Sequence, residues 1–238
     1  MLPFEILLTG IPVTSSRGAL GWCTVAHLAL EGKHIIFDTG SYGDRHVLLE
    51  RLDKAGIFQQ QIDTIVISHL HYDHFVNVEI FPRANILVSK RDLEYVLSGE
   101  YIQANDPNVP IGLIRQCKDR ITIVEDGEFI VPGLRVMELP GHTPGTIGLY
   151  CEKDKILFAS DAVKNAWEFQ HNKPSTFFSK ALALENYARI RKIAHIIVPG
   201  HDRQFTLGPD NSIQYADHYR AELCTYVDPE NEAEIYTI

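Results

Sequence analysis

The chain has 238 residues, of which 45% are hydrophobic and 22% are charged, so it can bury a core and lacks the composition of disordered proteins. Its formal net charge of −9 disfavours binding to nucleic acid or to an anionic membrane surface. We therefore expect one domain spanning residues 1–238, with no nucleic-acid or membrane partner.

The N-terminal residues and the cysteines indicate where the protein resides. The first apolar run has no basic segment before it and is interrupted at Pro12, which argues against a signal peptide. The cysteines are far apart and form no CxxC pair, so we expect free thiols rather than a disulfide framework. These features predict a cytoplasmic protein.

The first half of the chain alternates apolar runs with helical patterns. Short apolar runs predict strands over 4–8, 23–30, 33–37, 62–68 and 84–89, and the run 62–68 is rich in β-branched residues. Apolar residues at helical spacing predict helices over 45–55 and 91–97. The polar stretch 99–112, which contains prolines, predicts a surface loop.

The second half consists mostly of short apolar runs that are separated by turn residues. They predict strands over 121–124, 128–131, 134–139, 146–151, 155–159 and 196–199. Residues 176–194 form the longest helical pattern, and the segment after Asp210 is predicted to be partly helical. This order favours an α+β domain with sheets inside and helices outside over a regular βαβ alternation.

The strongest local signal is the segment 68–74, Ser-His-Leu-His-Tyr-Asp-His, directly after a predicted strand. It contains four candidate metal ligands: His69, His71, Asp73 and His74. Imidazole and carboxylate ligands without thiolates suit Zn²⁺, and also Mn²⁺, Fe²⁺ or Co²⁺. One ion cannot use all four groups from so short a stretch, so the segment predicts two ions if further ligands come from elsewhere.

Three later segments supply such ligands. His142 lies in Gly-His-Thr-Pro-Gly, Asp161 follows the run 155–159, and His201 follows the run 196–199. Each comes where an apolar run ends and a turn begins. Taken alone, each residue is more typical of a cap or a turn. Together with the first segment, they indicate a shared metal centre.

With these motifs and Asp38-Thr39-Gly40 in this order, the chain resembles the metallo-β-lactamase superfamily of metal-dependent hydrolases. The resemblance implies a four-layer αββα sandwich, in which two mixed sheets are flanked by helices and the metals lie at one sheet edge. It departs from the family at Val76, where glycine is usual, and we expect Val76 to reshape the pocket floor.

The resemblance also implies a role for each residue. His69, His71 and His142 would form a first site, Asp73, His74 and His201 a second site, and Asp161 would bridge them. Asp38 would orient a ligand histidine by accepting its free N–H. The expected cofactors are two divalent ions per chain, with zinc preferred over manganese, iron and cobalt.

The implied reaction is attack on an ester-like carbonyl by a hydroxide that bridges the metals, with Asp73 and Asp161 as catalytic residues. The preferred substrate is a lactone, as in the acyl-homoserine lactonases of the superfamily. Those enzymes carry a tyrosine three residues after the bridging aspartate, where this chain has Lys164. A thioesterase similar to glyoxalase II, a phosphodiesterase or ribonuclease, and a non-catalytic metal-binding module remain as alternatives.

Residues near the motifs are predicted to line the substrate pocket. They are Tyr72, Phe75, Lys164, Trp167 and Phe169, and the aromatic segment that contains the last two also includes His171, Phe177 and Phe178. Packing in the core is an equally good interpretation for the rings of this segment, whereas Tyr72 and Phe75, inside the ligand motif, are favoured to reach the pocket. Substrate identity, native metal and oligomeric state are not determined by the sequence, although a homodimer is a common assembly for a soluble enzyme.

Overall fold

The computed structural model describes residues 1–225 and 234–237. Six strands form the first sheet, in the spatial order β1-β4-β5-β6-β7-β8, and β2 pairs with β3 in a separate hairpin. The bounds are β1 Phe4–Leu8, β2 Thr14–Ser15, β3 Gly18–Ala19, β4 Val25–Leu30, β5 Lys33–Phe37, β6 Ile62–Val66, β7 Asn85–Ser89 and β8 Ile121–Val124. The first three strands of the sheet pair antiparallel, and β5 to β8 pair parallel.

Seven strands form the second sheet, in the order β15-β14-β13-β12-β11-β10-β9, and β16 pairs with β17 apart from it. Only the β12–β13 pair in this sheet is parallel. The bounds are β9 Phe129–Val131, β10 Leu134–Glu138, β11 Ile147–Cys151, β12 Ile156–Ser160, β13 Ile196–Pro199, β14 Phe205–Leu207, β15 Ile213–Tyr215, β16 Glu222–Thr225 and β17 Glu234–Thr237. Both sheets are therefore mixed.

The helices are short apart from α1 and α7. Their bounds are α1 Arg45–Lys54, α2 Tyr72–Phe75, α3 Lys90–Leu97, α4 Glu100–Gln103, α5 Ile111–Gln116, α6 Ala166–His171 and α7 Lys180–Ile193. None of the helices in the described part of the chain has both the length and the apolar surface needed to cross a bilayer.

Three clusters of buried side chains hold the layers together. Residues such as Phe37 and Phe158 fill the space between the two sheets. Leu52 on α1 packs with Ile65 on the outer face of the first sheet, and Ile190 on α7 belongs to the cluster on the outer face of the second. Helix, sheet, sheet and helix thus lie in four layers, which confirms the predicted αββα sandwich.

Two sequence predictions about secondary structure were wrong. The stretch 99–112 contains α4 and the start of α5 rather than only a loop, and Tyr101 and Ile111 pack against the core. The described residues after Asp210 form strands rather than helix. In the stretch 99–112, packing of these helices against the core decides the structure over weak local preference.

The predicted helix 176–194 begins later, at Lys180, because the Ser179 hydroxyl accepts a hydrogen bond from the Leu182 N–H and caps the helix. The preceding residues instead bind the loop that carries His142. The Phe177 N–H donates to the His142 carbonyl at 2.9 Å, and the Ser179 N–H donates to the Gly141 carbonyl at 3.0 Å. The start of α7 therefore fixes the position of one predicted metal ligand.

Candidate metal centre

The predicted ligands lie where strands of both sheets end. His69 and His71 follow β6 in the first sheet, whereas Asp161 and His201 follow β12 and β13 in the second. The sheets are joined at this edge, because the Ile147 N–H donates to the Ser68 carbonyl at 2.8 Å. Residues that are far apart in sequence therefore meet in one buried cluster.

The first site consists of three imidazoles. The His69 Nε2 lies 3.0 Å from the His71 Nδ1, and the His142 Nε2 lies 3.2 Å from the same atom. All three side chains are buried. Their nitrogens converge on one point and can hold a metal ion.

The second site lies beside the first and combines a carboxylate with two imidazoles. The Asp73 Oδ2 lies 3.4 Å from the His201 Nε2 and 3.8 Å from the His74 Nε2. Asp73 and His74 reach this point because α2 begins at Tyr72, which places both in its only turn. The three groups are close enough to share one ion.

Asp161 lies between the two sites with one oxygen toward each. Its Oδ2 is 3.3 Å from the His142 Nε2 of the first site. Its Oδ1 is 3.3 Å from the His201 Nε2 and 3.6 Å from the His74 Nε2 of the second. This is the arrangement that a carboxylate needs to bridge two ions.

The distances between these atoms fit metal binding. Ligand atoms at about 2.1 Å from a tetrahedral ion are about 3.4 Å from each other. The observed separations run from 3.0 to 3.8 Å. Moreover, His74 Nε2, His201 Nε2 and Asp161 Oδ1 are buried without a hydrogen-bond partner among the described residues, which is unusual for polar atoms unless a cation satisfies them. The site therefore fits two divalent ions with nitrogen and oxygen ligands.

Each of the five histidines uses its other ring nitrogen to contact the protein. The acceptors are the Ser68 hydroxyl for His69, Asp106 for His71, Asp38 for His74, the Ser175 carbonyl for His142 and the Trp22 carbonyl for His201, at 2.7 to 3.1 Å. Such contacts fix the tautomer and the orientation of a metal-binding imidazole. The nitrogens that face the two sites are thereby left free to bind metal.

Asp38 contacts one of the predicted ligand histidines. Its Oδ2 accepts from the His74 Nδ1 at 2.8 Å, and its Oδ1 accepts from the Ser68 N–H at 2.8 Å. Its backbone has φ +56°, a conformation that non-glycine residues rarely adopt. The side chain is thus held beneath the second site.

Asp106 contacts a predicted metal ligand, a role that the sequence analysis did not predict. It is 3% exposed and accepts from the His71 Nε2 at 2.7 Å and from the Tyr95 hydroxyl at 3.1 Å. It lies in the stretch 99–112, which had been interpreted as a surface loop. A single aspartate in a polar segment gives no sequence signal for this role.

Burial and neighbouring charges set the protonation of the ligands. Burial, together with the neighbouring His74 and His71, holds the pKa of His69 well below its usual value, and burial lowers the pKa of His142 to about 3. Burial alone would raise the pKa of Asp161, but His201 and Lys164 outweigh it and hold that pKa well below its usual value. His69 and His142 are therefore neutral and Asp161 is ionised at physiological pH.

A pocket of 200 Å³ opens onto both sites. Of the residues predicted to line it, Tyr72 and Lys164 do so, and the Lys164 Nζ lies 3.7 Å from the Asp161 Oδ2. Pro107, Asn108 and Phe177 also line the pocket, as does Arg17 from the turn between β2 and β3.

The structure places the other predicted pocket residues elsewhere, which corrects that part of the prediction. Phe75 and Phe169 are buried in the clusters beneath the helices. Trp167 is 56% exposed and stacks on His171. Val76 is also buried and is not part of the pocket wall, so the expectation that it reshapes the pocket floor was wrong.

Comparisons with known proteins identify relatives of this chain and structures with the same fold. An N-acyl homoserine lactonase from a Bacillus species is 29% identical over 160 residues, which cover 63% of this chain and 60% of that protein. The alignment thus spans less than two thirds of the relative's length. Among solved structures, the hydrolase AbOPH of the beta-lactamase superfamily matches with a TM-score of 0.68 at 20% identity, covering 92% of this chain and 93% of that one.

A quorum-quenching N-acyl homoserine lactone hydrolase also matches in structure, with a TM-score of 0.60 at 25% identity, covering 76% of this chain and 79% of that one. The family model that matches residues 18–210 is described as the metallo-beta-lactamase superfamily. This match includes every predicted metal ligand. The chain therefore belongs to the metallo-beta-lactamase superfamily.

Proposed function

We propose that this protein is a metal-dependent hydrolase with two zinc ions, and that it opens a lactone or a similar compact ester. The observation that carries the proposal is the position of Asp161, whose two oxygens face two separate groups of buried ligand atoms. A pocket leads directly to these atoms. An ester carbonyl can therefore reach the space between the two sites.

Divalent ions held by these ligands would supply a nucleophile from water near neutral pH and would polarise the substrate carbonyl. Asp73 and Asp161 line the pocket beside that space, where a carboxylate can orient the attacking water and accept its proton. Lys164 has its ammonium group 3.7 Å from Asp161, where it can bind the oxygen of the reacting carbonyl or the product carboxylate. In this proposal, the carboxylates transfer the proton and the lysine binds the substrate oxygen.

The size of the pocket and the relatives support a lactone. A volume of 200 Å³ is below the roughly 300 to 1,000 Å³ of pockets for drug-sized ligands, so the reacting group is compact and the rest of the substrate extends outward. The Bacillus relative is named for hydrolysis of an acyl-homoserine lactone. Lys164 replaces the tyrosine of those enzymes, so the preferred lactone is expected to differ.

The decisive experiment pairs metal analysis with a substrate panel. Elemental analysis is expected to find two zinc ions per chain, and a panel of lactones, thioesters, β-lactams and phosphodiesters is expected to give the highest kcat/KM with a lactone. Preference for a thioester or a phosphodiester would replace the proposed substrate class. Absence of hydrolysis of any substrate by the zinc-loaded protein would contradict the assignment as an enzyme.

Replacing Lys164 by methionine is expected to lower kcat/KM for the best lactone by about 10 to 100-fold, because one donor to the reacting oxygen is lost. Zinc content should stay the same, since the ammonium group is not a ligand. The matched control is Lys153→Met on an exposed turn between β11 and β12, which should leave kcat/KM unaltered. Equal kinetics for the two variants would remove Lys164 from the proposed site.

The two sites are expected to respond differently to pH. His69 and His142 have lowered pKa values, so the first site binds metal without releasing protons from them. Burial alone would lower the pKa of His74, but the neighbouring Cys23, Asp38 and Asp73 outweigh it and raise that pKa well above its usual value. The second site must therefore release a proton when it binds metal, and its affinity falls as the pH falls.

We expect the zinc affinity of the second site to fall about tenfold for each pH unit by which the pH is lowered, and the affinity of the first site to change much less. Competition titrations with a zinc chelator between about pH 5.5 and 7.5 would measure both constants. Variants His142→Ala and His201→Ala identify which constant belongs to which site. Parallel slopes for the two sites would contradict the protonation states given above.

A further inference from the structure

The hydroxyl of Ser68 lies between one ligand of the first site and the carboxylate beneath the second. Its Oγ is 2.9 Å from the His69 Nδ1 and 2.8 Å from the Asp38 Oδ2. Ser68 is 1% exposed, so no solvent competes for these contacts. The residue precedes the ligand motif directly, yet its side chain has no place in the ligand set.

The number of protons determines the direction of these hydrogen bonds. A histidine that binds metal through Nε2 carries its proton on Nδ1, so His69 must donate to the Ser68 oxygen. Ser68 then cannot donate to His69, and its single proton is directed to the carboxylate of Asp38, the strongest acceptor within reach. The chain of donors therefore runs from His69 through Ser68 to Asp38.

The same carboxylate oxygen serves the second site. The His74 Nδ1 lies 2.8 Å from the Asp38 Oδ2, the atom that the Ser68 hydroxyl also approaches. His74 reaches this oxygen directly, whereas His69 reaches it through one hydroxyl. One anionic oxygen thus fixes the tautomers of a ligand in each site.

We propose that Ser68 is a positioning residue that connects His69 to Asp38, so that the two metal sites share one orienting carboxylate. This inference rests on the proposed binding of two metals. Ser68 acts on the first site alone, whereas Asp38 acts on both. Loss of the Ser68 hydroxyl should therefore weaken one site, and loss of the Asp38 charge should weaken two.

Ser160 extends the network to the bridging ligand. Its hydroxyl lies 2.7 Å from the Ser68 Oγ and 2.8 Å from the Asp38 Oδ2. Its backbone has φ +46°, a conformation that is strained for a residue with a side chain, and Asp161 follows it directly. The hydrogen bond from the Ser160 hydroxyl to Asp38 holds this turn in place, so Asp38, which also orients His74, fixes the start of the Asp161 segment as well.

The experiment compares the zinc affinities of variants of the full chain by chelator competition. Ser68→Ala should weaken the first site by about 10 to 100-fold, as is usual when the partner of a metal-bound histidine is removed, and should change the second by less than about threefold. Asp38→Asn should weaken both sites. Ser68→Thr, which keeps the hydroxyl, should restore the first site to near the wild-type affinity.

The matched control is Ser41→Ala, since Ser41 is also buried but its hydroxyl donates to Asp44 and contacts none of the ligands. This variant should leave both affinities unaltered. The inference is overturned if Ser68→Ala leaves the first site intact, or weakens both sites as Asp38→Asn does. If the wild-type chain binds no zinc, the proposed function is overturned, and the proposed role of Ser68 is overturned with it.

A measurement on the wild-type protein avoids any effect of a variant on folding. In the zinc-loaded protein, nitrogen-15 NMR should show the His69 proton on Nδ1, with slow exchange because its acceptor is the buried Ser68 oxygen. The His74 Nδ1 proton should behave in the same way. A His69 ring that is protonated on Nε2 would rule out the proposed direction of the hydrogen bonds.

Discussion

Replacing Asp161 by alanine is expected to lower kcat/KM for a lactone by roughly 10³-fold or more and to reduce the zinc content below two ions per chain. The reason is that this single carboxylate faces both groups of ligands, with 3.3 Å from Oδ2 to the His142 Nε2 and 3.3 Å from Oδ1 to the His201 Nε2. Its loss removes a ligand from each site and a negative charge from between two cations. Elemental analysis and steady-state kinetics on one preparation measure both effects.

Asp202 provides the matched control, because it is a buried aspartate next to the ligand His201 but points away from it. Its Oδ2 accepts from the Ala166 N–H and from the Tyr215 hydroxyl, each at 3.0 Å. Asp202→Asn should keep both zinc ions and lose less than about tenfold in kcat/KM. An Asp161→Ala protein that retains two ions and full turnover would be incompatible with a bridging role.

The positions of most strands, and the first group of candidate ligands, could be predicted from the sequence because their signals are local. The run 62–68 is rich in β-branched residues, and β6 forms within it at Ile62–Val66. His69, His71, Asp73 and His74 then follow within one short segment, so their proximity is ensured by the chain itself. The resemblance to a known family supplied the remaining ligands, which no local pattern brings together.

The supporting residues could not be predicted, because their roles depend on contacts between distant parts of the chain. Asp106 meets His71 across 35 positions, and Ser160 meets Ser68 across 92. Neither residue carries a local pattern that distinguishes it from an ordinary turn residue. Their contribution is set by tertiary packing, which places a polar group next to a ring nitrogen.

Which aromatic residues line the pocket could not be predicted from the sequence either. Phe75 and Phe177 are both close to predicted ligands in the sequence or in the fold, yet only Phe177 faces the pocket. Phe75 follows His74 on α2, and the turn of this helix directs its ring into the core beneath the first sheet. Proximity in sequence to a ligand therefore does not determine which side of the helix a ring occupies.

Removing the metal is expected to abolish hydrolysis and to lower the melting temperature by roughly 15 to 30 °C. Ligand binding at 1,000 times the dissociation constant stabilises a protein by about 4 kcal/mol per site, and each kcal/mol shifts the melting temperature by about 2 to 4 °C at this chain length. Two sites therefore contribute about 8 kcal/mol when free zinc is in such excess. Calorimetry of the zinc-loaded and the chelated protein measures the difference.

The expected loss of stability on metal removal comes from buried polar atoms that lose their partner. Without ions, His74 Nε2, His201 Nε2 and Asp161 Oδ1 stay buried with no partner among the described residues, and each such atom costs about 1 to 3 kcal/mol. Adding zinc back should restore both activity and stability, whereas magnesium, which prefers oxygen ligands, should restore neither. A melting temperature that chelation leaves unchanged, with hydrolysis intact, would mean that these buried atoms are satisfied without a metal.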